Sequence, residues 1–92
     1  MESQEILCRI YGKVQMVMFR DFVQRNARML ELSGYVRNDA DGSVEILAQG
    51  GKEKLQQLVE CLKKGPLLAS VLRVDVEWRA ASEQRDGFKI VY

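Results

Sequence analysis

The chain has 92 residues, of which 47% are hydrophobic and 29% charged, and its formal net charge is +1. These values predict one folded domain over residues 1–92 and exclude disordered and fibrous classes. Because a charge near zero provides no long-range field, we expect no nucleic-acid or membrane partner, and any anion must be recognised locally.

The first fifteen residues, MESQEILCRIYGKVQ, carry acidic side chains before a short apolar stretch, unlike a signal peptide. No apolar run reaches the roughly 18 residues that a membrane span needs, so we expect a cytoplasmic protein. Cys8 and Cys61 lie far apart and the chain has no histidine. This pattern indicates no metal site and two free thiols, with a disulfide between them as the alternative.

Two elements are predicted in the first third of the chain. Residues 6–14, ILCRIYGKV, are rich in β-branched and aromatic side chains and predict a strand that buries every second residue: Ile6, Cys8 and Ile10. Residues 20–32 predict an amphipathic helix, because apolar residues recur at helical intervals: Phe19, Val23, Ala27 and Leu30. Gly34 follows the last of them and is expected to end this helix.

Two short strands and a second helix follow. Residues 35–38 and 43–48 predict antiparallel neighbours, joined by a tight turn at Asp41-Gly42. The glycine pair at 50–51 ends the second of these strands. From Lys52 to Gly65-Pro66 the apolar residues recur at helical spacing: Leu55, Leu58, Val59 and Leu62.

The last part of the chain predicts two further strands. Between residues 72 and 78 apolar and charged residues alternate, which is typical of a half-buried antiparallel strand whose apolar positions are Leu72, Val74, Val76 and Trp78. Residues 88–92, FKIVY, predict a final strand with one face formed by Phe88, Ile90 and Tyr92.

The order β-α-β-β-α-β-β indicates the α+β class, in a ferredoxin-like split β-α-β arrangement with two helices on one face of an antiparallel sheet. A helical crossover makes the first and second strands parallel, with the third strand between them. The carboxyl ends of those two strands then share one edge of the sheet. The loop at 14–20 should therefore lie beside Asn38.

Arg20 stands at the start of the first predicted helix, where the helix dipole already supplies partial positive charge. The unpaired N–H groups of this turn and the guanidinium together would form a site for phosphate or carboxylate. The alternative is that Arg20 points to water or pairs with Asp21. Asn38, beside the sequence DADG, can likewise be a simple turn residue.

Two motifs resemble the signatures of the acylphosphatase family. Residues 12–20, GKVQMVMFR, resemble G-x-V-Q-G-V-x-F-R, and residues 34–50, GYVRNDADGSVEILAQG, resemble G-[WY]-V-x-N-x-x-D-G-x-V-E. The segments GPLLASV at 65–71 and FKIVY are also similar, so the likeness covers nearly the whole chain. It implies hydrolysis of an acyl phosphate, a small-molecule substrate, to carboxylate and inorganic phosphate, without metal or cofactor.

The resemblance also implies roles for individual residues. Arg20 matches the phosphate-binding arginine and Asn38 matches the asparagine that orients the attacking water. The main-chain amides of six residues match the phosphate-binding loop: Gln15, Met16, Val17, Met18, Phe19 and Arg20. A phosphate oxygen of the substrate could accept the water's proton, so that no side-chain base is needed.

A small domain without an obvious extra apolar face is expected to be a monomer.

The chain departs from the first signature at Met16, where the family has glycine. A left-handed backbone there would cost a methionine about 1 to 2 kcal/mol, or the loop would shift, and the side chain could cover the phosphate. We therefore expect reduced activity. A catalytically weakened module that binds phosphate or protein stays open as an alternative. A nucleic-acid or amino-acid-binding module is disfavoured, because the chain lacks the aromatic sheet pattern and a basic excess.

Overall fold

Seven secondary-structure elements appear in the computed structural model, which describes residues 3–81 and 83–92. In chain order they are β1 (Gln4–Lys13), α1 (Phe19–Met29), β2 (Ser33–Asn38), β3 (Val44–Gly50), α2 (Lys52–Lys64), β4 (Ser70–Ala80) and β5 (Phe88–Val91). This order confirms the predicted one. Three positions of the predicted domain over residues 1–92 lie outside the described residues: Met1, Glu2 and Ser82.

The five strands form one sheet in the order β4-β1-β3-β2-β5. β3 is antiparallel to both β1 and β2, so β1 and β2 are parallel with β3 between them, as predicted. β5 pairs with β2 in parallel. The sheet is therefore mixed rather than wholly antiparallel, because the chain crosses from β4 at one edge to β5 at the other.

Both helices pack on the sheet through the apolar stripes that the sequence predicts. α1 contacts β2 and β5, while α2 contacts β1, β3 and β4. The buried residues of the two helices are Phe19, Val23, Ala27, Leu55, Leu58 and Leu62. They meet the predicted strand residues Ile6, Cys8 and Ile10, which are fully buried. Neither of these helices is long and apolar enough to span a membrane.

The end of α1 differs from the prediction that Gly34 closes it. The helix ends at Met29, and Glu31 takes the left-handed conformation with φ 59°. Leu32 N–H donates to the Ala27 carbonyl at 2.9 Å and Glu31 N–H to the Arg28 carbonyl at 3.0 Å, which is the Schellman pattern. Gly34 instead lies in β2, where a Cβ would approach the Leu47 carbonyl oxygen to 1.8 Å.

The apolar alternation of β4 is interrupted by a bulge. Tyr11 pairs with Arg73 but Gly12 pairs with Val71, so the register shifts at Leu72. Val71 packs against the core in its place, whereas Leu72 is 80% exposed. The predicted inward position of Leu72 is therefore wrong, since a bulge moves one residue out of the strict period of two.

A buried carboxylate fastens the connection between β4 and β5 to the sheet. Glu5 in β1 accepts hydrogen bonds from Gln49 Nε2, at 2.8 Å, and from Arg79 Nε. Burial alone would raise the pKa of Glu5, but these two hydrogen bonds hold it below its ordinary value. Gln49 also donates to the Glu83 carbonyl and accepts from the Arg85 N–H at 3.0 Å. The amide of Gln49 thereby holds the segment that leads into β5.

The two cysteines are free thiols, Cys8 buried in β1 and Cys61 half-buried in α2. Burial raises the pKa of the Cys8 thiol from 9.0 to about 12. In the folded protein Cys8 thus keeps its proton at pH values at which the unfolded chain releases it.

The stability of the protein should fall as the pH rises above about 9, because the unfolded state then loses the Cys8 proton and the folded state does not until about 12. The loss should approach about 1.4 kcal/mol per pH unit within this window. Urea unfolding at pH 8 to 10.5 measures it as the difference between wild type and Cys8→Ala. Cys61→Ala retains Cys8 and should follow wild type. An equal decline in Cys8→Ala would contradict the assignment to this thiol.

Candidate active site

The loop that joins β1 to α1 is anchored in the core at both ends. Val14 at its start and Phe19 at the first position of α1 are buried. Between them Met16 is 97% exposed and Met18 is 72% exposed. The loop therefore leaves the core and returns to it within five residues, and its middle is presented to solvent.

Two methionines in this loop have left-handed backbones. Met16 has φ 59°, and Met18, the N-cap of α1, has φ 62° and ψ 27°. Such a conformation costs a residue with a Cβ about 1 to 2 kcal/mol. Met16 therefore takes up the backbone geometry that a glycine adopts readily, and its exposed side chain does not fill the space beneath it.

The side chain of Gln15 ties the loop to the turn between β2 and β3. Its Nε2 donates to the Asp39 carbonyl at 2.8 Å and to the Ser43 carbonyl at 2.9 Å. The turn itself is closed by the Asp39 N–H, which donates to the Ser43 carbonyl at 2.9 Å. This anchor fixes the loop beside the end of β2. Sequence reasoning assigned Gln15 only a main-chain role, although its place in the motif was the available signal.

A hollow of about 130 Å³ lies where the loop, the start of α1 and the end of β2 meet. Its lining residues are Val14, Met16, Met18, Phe19, Arg20, Asp21, Asn38 and Tyr92. The predicted proximity of Arg20 and Asn38 is thus confirmed. Gln15 points instead to the hairpin turn and Val17 packs against the core. Asp21 and Tyr92 were not predicted at the site.

Arg20 stacks on Tyr92, with its guanidinium carbon 4.8 Å from the ring centroid. The alternative partner, Asp21, is engaged by Arg25 at 2.9 Å. Among residues 3–81 and 83–92, no carboxylate forms an ion pair with Arg20. The guanidinium therefore keeps its hydrogen-bond donors available at the hollow.

The neighbouring arginines are neutralised. Arg9 contacts the carboxylates of Asp39 and Glu45, and Arg37 contacts Glu45 at 2.9 Å. The hydrogen bond and charge of Glu45 raise the pKa of Arg37. These pairs consolidate the hairpin turn and leave Arg20 as the cation that faces the hollow.

The side-chain amide of Asn38 has a hydrogen-bond acceptor that receives no hydrogen bond from the described residues. Its Oδ1 is buried and has no hydrogen-bond partner within the described part of the chain. Buried polar atoms are nearly always paired in folded proteins, so an unpaired amide oxygen on a residue that lines the hollow is unusual.

The start of α1 adds main-chain donors to the same place. Met18 makes no side-chain hydrogen bond as the cap, and the first helical bond runs from the Phe22 N–H to the Met18 carbonyl at 3.1 Å. The N–H groups of the first turn are therefore not used within the helix. Together with Arg20 they make the hollow locally positive, which suits a phosphoryl group.

Removal of the Gln15 amide should loosen the loop from the turn. Gln15→Met keeps the shape of the side chain but loses both donors, and we expect the free energy of unfolding to fall by about 1 to 2 kcal/mol. Gln56→Met, on the exposed face of α2, is the matched control. Denaturant titration measures both variants, and equal stability of the two would show that the anchor contributes nothing.

Comparisons with known proteins find relatives of this chain along nearly its whole length. The family model described as Acylphosphatase matches residues 6–90. An acylphosphatase of Salinibacter ruber is 42% identical over 88 residues, covering 96% of this chain and 93% of the relative. One from Thermococcus kodakarensis is 46% identical over 83 residues and 90% of each chain. The crystal structure of acylphosphatase from Bacillus subtilis has TM-score 0.94 and 39% identity, covering 97% of this chain and 99% of that one.

Proposed function

Because the chain belongs to the acylphosphatase family and is a hydrolase of acyl phosphates, we propose that Arg20 binds the phosphoryl group and Asn38 orients the attacking water. One observation carries this assignment. Two residues that line the hollow lack partners within the described part of the chain: Arg20 forms no ion pair, and Asn38 Oδ1 is buried without a donor. An acyl phosphate and a water supply the two missing partners together.

The loop from Gln15 to Arg20 acts as a phosphate-binding loop in this proposal. Its main-chain N–H groups and the first turn of α1 would donate to the phosphoryl oxygens, and Arg20 would add its planar fork of donors. Two features support this: the uncapped helix start and the left-handed residues that expose the loop backbone. The same donors would hold the negatively charged phosphoryl oxygens in place through the transition state.

Asn38 would position the nucleophile. A water that donates one hydrogen to Asn38 Oδ1 presents its oxygen to phosphorus, where the new P–O bond forms as the bond to the acyl oxygen breaks. The carboxylate leaves with the bonding electrons, and the water's proton passes to a phosphoryl oxygen. The carboxylate is a good leaving group, so positioning and charge stabilisation suffice without a side-chain base.

We also propose that residues 1–92 act as one domain, as a cytoplasmic monomer, without nucleic-acid or membrane partners. The family match over residues 6–90 supports the single domain. The free thiols of Cys8 and Cys61 fit a reducing compartment, and the net charge of +1 gives no general attraction to anionic polymers. The β4 edge carries exposed charged residues that oppose edge-to-edge pairing. Light scattering at assay concentrations tests the monomer.

Substitutions of Arg20 and of Asn38 should change the kinetics in different ways. Arg20→Gln removes the phosphate fork and should lower kcat/KM for acetyl phosphate about 100- to 1,000-fold, and weaken inhibition by inorganic phosphate. Asn38→Ala should lower kcat to a similar extent while leaving inhibition by phosphate nearly unchanged, because only the water loses its partner. A continuous phosphate-release assay with and without added phosphate measures both effects.

Arg73→Gln is the matched control, since Arg73 is an exposed arginine of β4 that pairs with Asp75 and does not line the hollow. It should retain wild-type kinetics. Full activity of Arg20→Gln, or equal loss of phosphate inhibition in both site variants, would overturn the assigned roles.

Met16→Gly tests the cost of the departure from the family signature. Glycine adopts a positive φ without strain, and its replacement of Met16 also removes the side chain from the mouth of the hollow. We expect kcat/KM for acetyl phosphate to rise severalfold because the mouth of the hollow is opened, whereas the relief of about 1 kcal/mol of loop strain should appear in the free energy of unfolding. A variant no faster than wild type would show that the methionine does not limit activity.

A further inference from the structure

The mouth of the hollow is surrounded by large side chains without charge. Met16, Met18 and Tyr92 line it and are 97%, 72% and 94% exposed, respectively. We call these three side chains the rim. Both methionines have left-handed backbones and exposed side chains, so the protein displays two thioethers beside the hollow.

The hollow is too small to enclose an acyl phosphate with a long acyl group. Its volume of about 130 Å³ is below the roughly 150 Å³ of a cavity that holds one benzene ring. A phosphoryl group on the floor, against Arg20 and Asn38, leaves no room for an acyl group much larger than acetyl. Such an acyl group must lie at the mouth, which is where the rim is.

The rim offers contacts to an apolar group. Thioethers are polarizable and adapt to irregular apolar shapes, and they contact aromatic rings favourably. Tyr92 uses one face of its ring for Arg20, at 4.8 Å, and is otherwise exposed. Of the charged lining residues, Asp21 is paired with Arg25 and Arg20 faces the phosphoryl position. A charged acyl group would find no partner here.

We propose that the rim binds the acyl group of the substrate, and that this protein therefore prefers acyl phosphates with longer aliphatic or aromatic acyl groups over acetyl phosphate. This inference rests on the proposed function and adds a substrate class to it. Met16 stands where the family signature has glycine, so half of the thioether surface belongs to this chain's own sequence.

A homologous series of straight-chain substrates tests the preference, because acetyl, butanoyl and hexanoyl phosphates have nearly the same leaving-group chemistry. Full burial of one methylene corresponds to about a fourfold gain and half-burial to about twofold. We expect kcat/KM of wild type to rise about twofold per added methylene. Equal kcat/KM values for the three substrates would overturn the proposal. This test uses the wild-type protein alone.

The doubly substituted Met16→Gln, Met18→Gln protein keeps the length of both side chains but replaces each thioether by an amide. Its ratio of kcat/KM for hexanoyl over acetyl phosphate should fall at least threefold from that of wild type, and the ratio cancels changes that affect both substrates. Met29→Gln, an exposed methionine at the end of α1, should leave the ratio unchanged. An unchanged ratio in the double variant would refute the role of the methionines.

Different results would refute the proposed catalytic roles and the proposed role of the rim. If acetyl phosphate is hydrolysed in a manner that requires Arg20 but the series is flat, the assignment of the rim is wrong and the catalytic assignment stands. If no member of the series is hydrolysed faster than in buffer, the proposed function itself fails, and the rim with it.

Discussion

The hydrogen bonds from one side-chain amide hold the parts of the site together. Gln15 Nε2 reaches two carbonyl oxygens of the β2–β3 turn, at 2.8 and 2.9 Å, and so joins a loop after β1 to a turn 24 residues further along the chain. Without this contact the loop would be held by the core packing of Val14, Val17 and Phe19 alone. The separation between Arg20 and Asn38 therefore depends on an interaction that belongs to neither residue.

The fold supplies this arrangement through its topology. Since β1 and β2 are parallel across β3, their carboxyl ends lie at the same edge, and α1 starts at that edge because the loop is short. β5 adds to β2 in parallel, which brings Tyr92 to the same edge as well. The Gln49 amide helps to hold the segment before β5, so a contact at the opposite end of β2 contributes to the position of the ring under Arg20.

Strain and unpaired groups are concentrated at this edge. Met16 and Met18 carry positive φ values, Asn38 Oδ1 is buried without a donor, and the first turn of α1 has no side-chain cap in the structure described. Each feature lowers the stability of the folded protein, and such features are often found together at functional sites. The arginines outside the hollow, Arg9 and Arg37, are in contrast fully paired with carboxylates.

The sequence alone determined the order of the elements, the apolar stripes of both helices and the proximity of Arg20 and Asn38, because periodicity and crossover rules depend on local pattern. It misplaced the end of α1, because Glu31 takes the left-handed conformation without being a glycine. It also could not place the bulge at Leu72, the parallel pairing of β5, the Gln15 anchor or the stacking of Tyr92 on Arg20. These last features depend on contacts between residues far apart in the chain. A local sequence pattern contains no information about such contacts. The left-handed backbone of Met16, at φ 59°, is likewise a property of the folded loop that its sequence pattern does not specify.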